Sequence, residues 1–283
     1  MTLRAGFIGL GNIGKPMARR IVDAGVPLTV FDVAPAPAAE LAAAGARTAS
    51  TAREVAAASD VVGVCVRDDA EVRAVLLGDD GIADGAPVGL VVAIHSTVLP
   101  RTVREIAATL ASRGVAVVDA CVTGGAGGAA QGKLTYMVGG EAELVEKCRP
   151  VFATSAERIV HTGPLGSGVS VKLCNNLMTY LGFLAAFEAT SLARAGGLSE
   201  NALEQVTRAN GNLTDQMLAF LTLHRLPVET RKDPGFRAML KGFTSLAEKD
   251  LAVTLEFARE CGVELPGAAR CRELMARVYG WEE

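Results

Sequence analysis

No CxxC pair occurs among the six cysteines of this 283-residue chain; Cys65, Cys121, Cys148, Cys174, Cys261 and Cys271 are scattered, several of them inside apolar runs. That spacing gives no framework for a structural zinc site or a disulfide-stapled fold, so buried, reduced thiols and no bound metal are expected. Charge of one sign is also scarce. The 28 Lys and Arg nearly balance the 31 Asp and Glu, the net charge is −3, and no block of like charge forms a tail. A nucleic-acid or anionic-membrane surface is therefore not expected. The longest apolar run, residues 177–187, is followed by Glu188 and falls short of the roughly 20 residues a membrane helix needs. Met1-Thr-Leu-Arg leads directly into a strand-like segment with no targeting pattern ahead of it, which suits a cytoplasmic protein. There is no internal repeat.

Half of the residues are apolar and 21% are charged, enough to fill the core of one large domain or two ordinary ones. The first half alternates β-branched runs with alanine-rich helical stretches. Strands are predicted over 3–9, 28–32, 61–66, 90–94, 115–119, 135–139 and 158–161, and helices over 13–24, 36–44, 70–77, 103–112 and 142–151. Such alternation predicts an α/β fold, a Rossmann-type doubly wound and mainly parallel sheet, whose Val/Ile strands lose polar alternation because both faces are covered. After His161 the strand signal stops. A turn-rich hinge from Thr162 to Gly168 leads into a helix predicted over 169–195, roughly 40 Å long at 1.5 Å per residue, with Gly196-Gly197 as its stop. Further helices are expected from Ser199-Glu200, over 246–261 and over 268–279. The predicted organisation is a dinucleotide-binding domain over 1–163 and an all-α domain over 164–283, joined by the long helix.

Chemistry enters first at Gly9-Leu10-Gly11-Asn12-Ile13-Gly14, a GxGxxG run that follows a strand and opens a helix. Gly9 suits the tight turn, Gly11 lets a pyrophosphate approach the backbone, and Gly14 lets helix and strand pack closely. The helix N-terminus offers free N–H groups and partial positive charge to the phosphates. Asp32 ends the next strand 18 residues after Gly14, placed to accept hydrogen bonds from a ribose diol and to repel a 2′-phosphate. Val33-Ala34-Pro35-Ala36-Pro37 supplies no cation beside it, so NAD is expected over NADP. The alternative is a glycine-rich turn followed by a surface aspartate.

Two more loops leave strands on the way to helices. Ser96-Thr97-Val98-Leu99-Pro100 places hydroxyls at a strand's carboxyl end, either facing a ligand crevice or capping the following helix. Asp119-Ala120-Cys121-Val122-Thr123-Gly124-Gly125 enters a glycine-rich loop whose consecutive N–H groups can hold a substrate carboxylate beside the Thr123 hydroxyl, or which forms a flexible crossover.

Lys172, Asn175 and Asn176 follow the Gly166-Ser167-Gly168 turn, three and four residues apart on one stripe of the long helix. Val169, Val171, Leu173, Leu177 and Met178 surround them, so an apolar setting is expected. A lysine there is unfavourable unless it is paired or readily gives up its proton, the property a general base needs. The bland alternative is a lysine snorkelling from a buried helix's edge.

Together these segments, with Glu248-Lys249-Asp250-Leu251 late in the chain, resemble the β-hydroxyacid dehydrogenase family, which includes 3-hydroxyisobutyrate dehydrogenases and tartronate semialdehyde reductases. The resemblance spans nearly the whole chain. It implies hydride transfer between NAD and a small 3-hydroxy acid, and a homodimer or homotetramer. By position it makes Lys172 the catalytic lysine and Asn176 its companion, with Thr123, Gly124, Gly125 and Asn175 holding substrate. Gly9, Leu10, Gly11, Asn12, Ile13, Gly14, Asp32, Val66, Thr97 and Lys249 fall to the cofactor, with Lys249 reaching it from the C-terminal domain. Without the resemblance, Lys249-Asp250 reads as an exposed helix pair.

The chain departs from the family at Cys121 and Thr123, where Pro and Ser are usual, at His95 for Asp and at Arg67 for Pro. Thr123 keeps the hydroxyl and adds a methyl that trims a pocket. Arg67 reads either as a contact to the cofactor or a second anionic group, or as an exposed loop arginine. Two other classes fit less well. An NADPH-dependent reductase of a related semialdehyde, ketone or imine shares this scaffold but generally replaces the lysine, and a non-catalytic dinucleotide-binding module has no need of Lys172, Asn176 and Thr123.

Overall fold

The computed structural model describes residues 3–280, which divide into two compact units, one up to Lys172 and the other from Leu173. In the first, β1 (Ala5–Ile8), α1 (Gly14–Asp23), β2 (Leu28–Phe31), α2 (Pro35–Ala43), β3 (Arg47–Thr48), α3 (Ala52–Ala57) and β4 (Val61–Val64) are followed by α4 (Asp69–Leu77), α5 (Ile82–Gly85), β5 (Val91–Ile94) and α6 (Pro100–Ala111). Then come β6 (Ala116–Thr123), α7 (Gly125–Gln131), β7 (Leu134–Gly139), α8 (Ala142–Phe152), β8 (Ala156–Gly163) and the start of α9 (Ser167–Ala195). The second unit holds the rest of α9, then α10 (Glu200–Ala209), α11 (Asp215–His224), α12 (Val228–Lys232), α13 (Pro234–Glu260) and α14 (Pro266–Tyr279).

One eight-stranded sheet runs β3-β2-β1-β4-β5-β6-β7-β8. All pairs are parallel except β6 with β7. The strand order reverses direction between β1 and β4, so the loops leaving these two strands open a crevice at the sheet's carboxyl edge. β1, β4 and β5 are buried along their whole length, as the Val/Ile content of β4 and β5 predicts. Phe7, Met17, Ile21, Val30, Val118 and Phe152 belong to the core of this unit. Four of its helices begin where a short polar side chain or proline allows. Thr51 Oγ1 accepts the Glu54 N–H at 3.2 Å, Asp68 Oδ1 accepts that of Glu71 at 3.0 Å, and Pro35 and Pro100 open α2 and α6.

Several elements depart from the sequence reading. β6 continues four residues beyond Asp119 because antiparallel pairing with β7, from Asp119↔Gly139 to Thr123↔Thr135, sustains it past the apolar run. Residues 125–131, expected as a loop, form α7: the turn needs positive φ at Gly124 (+123°) and Gly125 (+65°), after which the chain is free to coil. β3, α3 and α5 are too short to carry a periodic signal. α13 starts at Pro234 rather than 246, where Asp233 Oδ1 accepts the Phe236 N–H at 2.9 Å.

The second unit is wholly helical. Leu173, Asn176, Tyr180, Phe183, Ala186, Thr190 and Ala193 form one buried stripe of α9. Phe183 stacks on Phe220 of α11 with ring centroids 4.5 Å apart, and Leu251, Cys271 and Met275 complete the same core. Among the described residues no helix is long and apolar enough to cross a membrane.

Candidate active site

The loop between β1 and α1 has the shape its glycines predict. Gly9 has φ +89°, and a Cβ there would collide with the Cys65 carbonyl at the end of β4. A Cβ on Gly14 would overlap the Gly9 carbonyl oxygen. At Gly11 no atom lies within 4 Å of where a Cβ would stand, so this exposed backbone is the open face of the turn. Asn12 is also exposed, whereas Leu10 is buried in the core and Ile13 packs against it. Asp32 is tied to the same loop. Its Oδ2 accepts the Leu10 N–H at 2.5 Å and its Oδ1 that of Ala34 at 2.7 Å. Val33 beside it is 93% exposed, and Lys15 pairs with Glu40 at 2.8 Å. The open Gly11 turn, the N-terminus of α1 and a carboxylate at the tip of β2 fit a dinucleotide.

The loops after β4 and β5 are stitched together by Ser96. Its hydroxyl accepts the Val66 N–H at 2.9 Å and donates to the Val66 carbonyl at 2.8 Å, and the residue is buried. This hydroxyl is taken up by the neighbouring loop, and α6 starts on Pro100 with no side-chain cap from its N-cap residue Leu99. Thr97 stays half-buried, while Leu99 N donates to Asp69 Oδ1 at 3.0 Å. Arg67 is largely exposed and balanced locally, 3.1 Å from Asp68 and 3.4 Å from Glu71. His95 is a core residue. Its ring stacks 5.7 Å from that of Phe7, its Nδ1 lies 2.7 Å from the Ala120 carbonyl, and burial lowers its pKa to about 4. Cys121 is buried with Sγ 3.4 Å from the Ser96 carbonyl oxygen. Burial raises the Cys148 and Cys271 thiols to about 12 and about 11, but Cys174 and Cys261 are exposed, against the expectation of buried thiols.

Thr123 is half-buried at the end of β6, and the exposed Gly124 and Gly125 begin α7. The expected nest of glycine N–H groups is thus the first turn of a short helix, whose leading N–H groups have no intrahelical acceptor. Because β1, β2, β4, β5 and β6 run parallel, the Gly9–Gly14 loop, Asp32, Val66, Thr97 and Thr123 all lie at one edge of the sheet.

Asp119 carries a role the sequence reading missed. Wholly buried in the middle of β6, it accepts the N–H of Gly166 at 2.7 Å and of Val169 at 2.7 Å, the groups that open α9. Burial raises its pKa while those N–H groups pull it back. Lys172 follows one turn later and is half-buried. Its surroundings are less apolar than expected, because Val171 is 42% and Met178 76% exposed.

In the second unit Asn176 is buried on α9 while Asn175 is half-buried beside it. Asn176 Nδ2 donates to Asp250 Oδ2 at 2.7 Å, and the Tyr180 hydroxyl donates to the same oxygen at 3.1 Å. Asp250 Oδ1 lies 2.8 Å from Lys249 Nζ. The Lys249-Asp250 pair is therefore not an exposed one: Asp250 is buried, in register with Ala247, Leu251 and Thr254 on the inner face of α13. That spacing of three and four was visible in the sequence. For Asp119 nothing local marked the partner segment 47 residues away. No cluster of three or more potential metal ligands occurs among the described residues.

Comparison with known proteins adds a second line. Residues 4–163 match the family model described as the NAD binding domain of 6-phosphogluconate dehydrogenase, and residues 166–280 that described as NAD-binding of NADP-dependent 3-hydroxyisobutyrate dehydrogenase. An uncharacterised oxidoreductase of Mycobacterium tuberculosis is 38% identical over 279 residues, 99% of this chain and 94% of that protein. An NAD-dependent L-serine dehydrogenase of Pseudomonas aeruginosa is 37% identical, covering 92% and 87%. The solved structure of M. tuberculosis 3-hydroxyisobutyrate dehydrogenase with L-serine superposes with a TM-score of 0.83 at 31% identity, covering 98% and 94%.

Proposed function

Because the chain belongs to the β-hydroxyacid dehydrogenase family, we propose that it transfers a hydride between NAD and the carbinol carbon of a small 3-hydroxy acid, with Lys172 as general acid–base. The observation that carries the reading is the start of α9. Its first turn is fixed by Asp119, Lys172 lies in the following turn, and Asn176 comes one turn further on the same stripe.

When bound, the nicotinamide supplies the hydride acceptor or donor, and the protein supplies position and field. In the oxidative direction neutral Lys172 takes the hydroxyl proton; in reduction its ammonium returns it. Asn176, whose amide nitrogen donates to Asp250, would hold the substrate hydroxyl in register with the lysine. Asn175 contributes to the same substrate site. The Thr123 hydroxyl and the leading N–H groups of α7 at Gly124 and Gly125 would hold the substrate carboxylate. The Thr123 methyl favours a small acid, in line with the L-serine dehydrogenase relative.

Asp32 together with the uncharged segment 33–37 favours NAD over NADP. Val66, Thr97 and Lys249 complete the cofactor contacts. On this reading residues 1–163 bind the dinucleotide, residues 164–283 bind substrate and assemble a dimer or tetramer, and the protein works in the cytoplasm. The test is an assay of 3-hydroxyisobutyrate, 3-hydroxypropionate, glycerate and serine with NAD and NADP in parallel. NADH formation from at least one acid is expected, with NAD preferred in kcat/KM by more than about tenfold. No turnover of any acid with either cofactor overturns the reading.

A further inference from the structure

The Asp119 carboxylate touches none of the groups assigned to the chemistry, yet it is fully buried in a strand whose neighbours Val117, Val118, Ala120 and Cys121 are buried and apolar. Such a group persists only when its oxygens are satisfied. Both are, by the N–H groups of Gly166 and Val169, which as openers of α9 have no intrahelical acceptor. The surrounding chain is shaped for this approach. A Cβ on Gly139 would stand 2.5 Å from Asp119 Oδ1, and one on Gly168 would run into the Met137 carbonyl oxygen and lie 2.9 Å from Asp119 Oδ2. A second fastening lies alongside. Thr162 Oγ1 of β8 donates to the Val138 carbonyl of β7 at 3.0 Å and stands 2.7 Å from Ser167 Oγ, at the first residue of α9. The first turn of α9 is thus fastened to two strands, β6 and β8.

We infer that Asp119 is a positioning residue for hydride transfer: by anchoring the first turn of α9 on β6, it holds Lys172 in register with the Thr123–Gly125 turn at the end of that same strand. Lys172 is three residues beyond Val169, and a helix with a fixed first turn leaves the next turn little freedom. Thr123 is four residues beyond Asp119. One side chain therefore sets the origin for both the amine and the substrate loop. Asparagine cannot replace it in full, because its single acceptor oxygen meets one of the two N–H groups while its NH₂ faces the other. The inference rests on the assignment of Lys172 as general acid–base.

The test compares Lys172→Ala with Asp119→Asn and Ser167→Ala, each of the latter two alone and combined with Lys172→Ala, in the full-length protein. Asp119→Asn is expected to bind NADH as the parent does and to lose turnover by on the order of 10- to 100-fold, the scale of a displacement of about 1 Å at a reacting group. In the cofactor-free protein the rate at which Lys172 is acylated, read by peptide mass spectrometry, is expected to change several-fold. In the Lys172→Ala background the Asp119→Asn substitution should remove no more than about twofold of the residual rate, since the two act through one group. Ser167→Ala, which loosens the neighbouring fastening, should show a smaller loss with the same non-additivity, and it carries the test if Asp119→Asn does not fold. Parental turnover and unchanged Lys172 acylation in the folded variant, or a loss undiminished without Lys172, overturns the positioning role. Near-normal turnover of Lys172→Ala alone instead removes the premise, and is seen without touching Asp119.

Discussion

Asn176 on α9 and Asp250 on α13 are joined by a buried hydrogen bond, Nδ2 to Oδ2, at 2.7 Å, and Tyr180 converges on the same carboxylate oxygen at 3.1 Å. Because a carboxylate only accepts, this contact fixes which end of the Asn176 amide points away from α13. Asp250 also pushes the Tyr180 hydroxyl further above its usual range, adding to the effect of burial. One acidic side chain thus orders two polar groups on the neighbouring helix.

Asp250→Ala is therefore expected to lower the unfolding free energy by about 3 kcal/mol, because the Asn176 amide and Tyr180 hydroxyl are left buried without their acceptor. Asp250→Asn keeps an acceptor and should lose less. Urea denaturation of both variants measures this; an Ala variant within about 0.5 kcal/mol of the parent contradicts the account.

The phosphate loop makes a sharper separation. Gly11 has open space where a Cβ would go, whereas Gly14 has the Gly9 carbonyl there. Gly11→Ala should fold and melt like the parent while weakening NADH binding by more than about tenfold, or ~1.4 kcal/mol. Gly14→Ala should lose stability. Thermal melts with a fluorescence titration of NADH decide it, and unimpaired binding by Gly11→Ala would show that no pyrophosphate approaches there.

His95 gives the pH dependence a sign. Its pKa falls from 6.5 to about 4 on folding because burial disfavours the charged ring. Below pH 6.5 the unfolded chain takes up a proton that the folded protein refuses. The stabilisation from the neutral ring, complete above pH 6.5, is thus lost toward pH 4 at up to about 1.4 kcal/mol per pH unit. His95→Phe keeps the stacking on Phe7 but not the bond to the Ala120 carbonyl. It should be the less stable protein at pH 7, with a gap that narrows steadily toward pH 4. A gap independent of pH contradicts a buried neutral histidine.

Much of this was legible in the sequence because the signals are local. The β1–α1 glycines, Asp32 and the Val/Ile strands each follow from short-range sterics or from burial on both faces. Thr123 and the α9 lysine were located in the same way. The remainder depends on pairing at long range. Ser96 read equally as a ligand-facing or a helix-capping hydroxyl until its Val66 partner was known. Asp119 looked like an ordinary strand end, since the N–H groups it receives belong to a turn 47 residues later. His95 stood out only as a departure from the family's usual Asp, and its role became clear once three aromatic rings were seen to surround it. α7 was hidden because glycine has the poorest intrinsic helix propensity after proline.

The central claim is that the amine of Lys172 moves the proton as hydride is transferred. Lys172→Ala should retain the parent's fold and bind NADH with affinity unchanged within about twofold, while the rate of NADH formation from the best 3-hydroxy acid falls by at least about 10²-fold, the lower range for a positioned acid–base. Turnover within a few-fold of the parent, with cofactor binding intact, would contradict it.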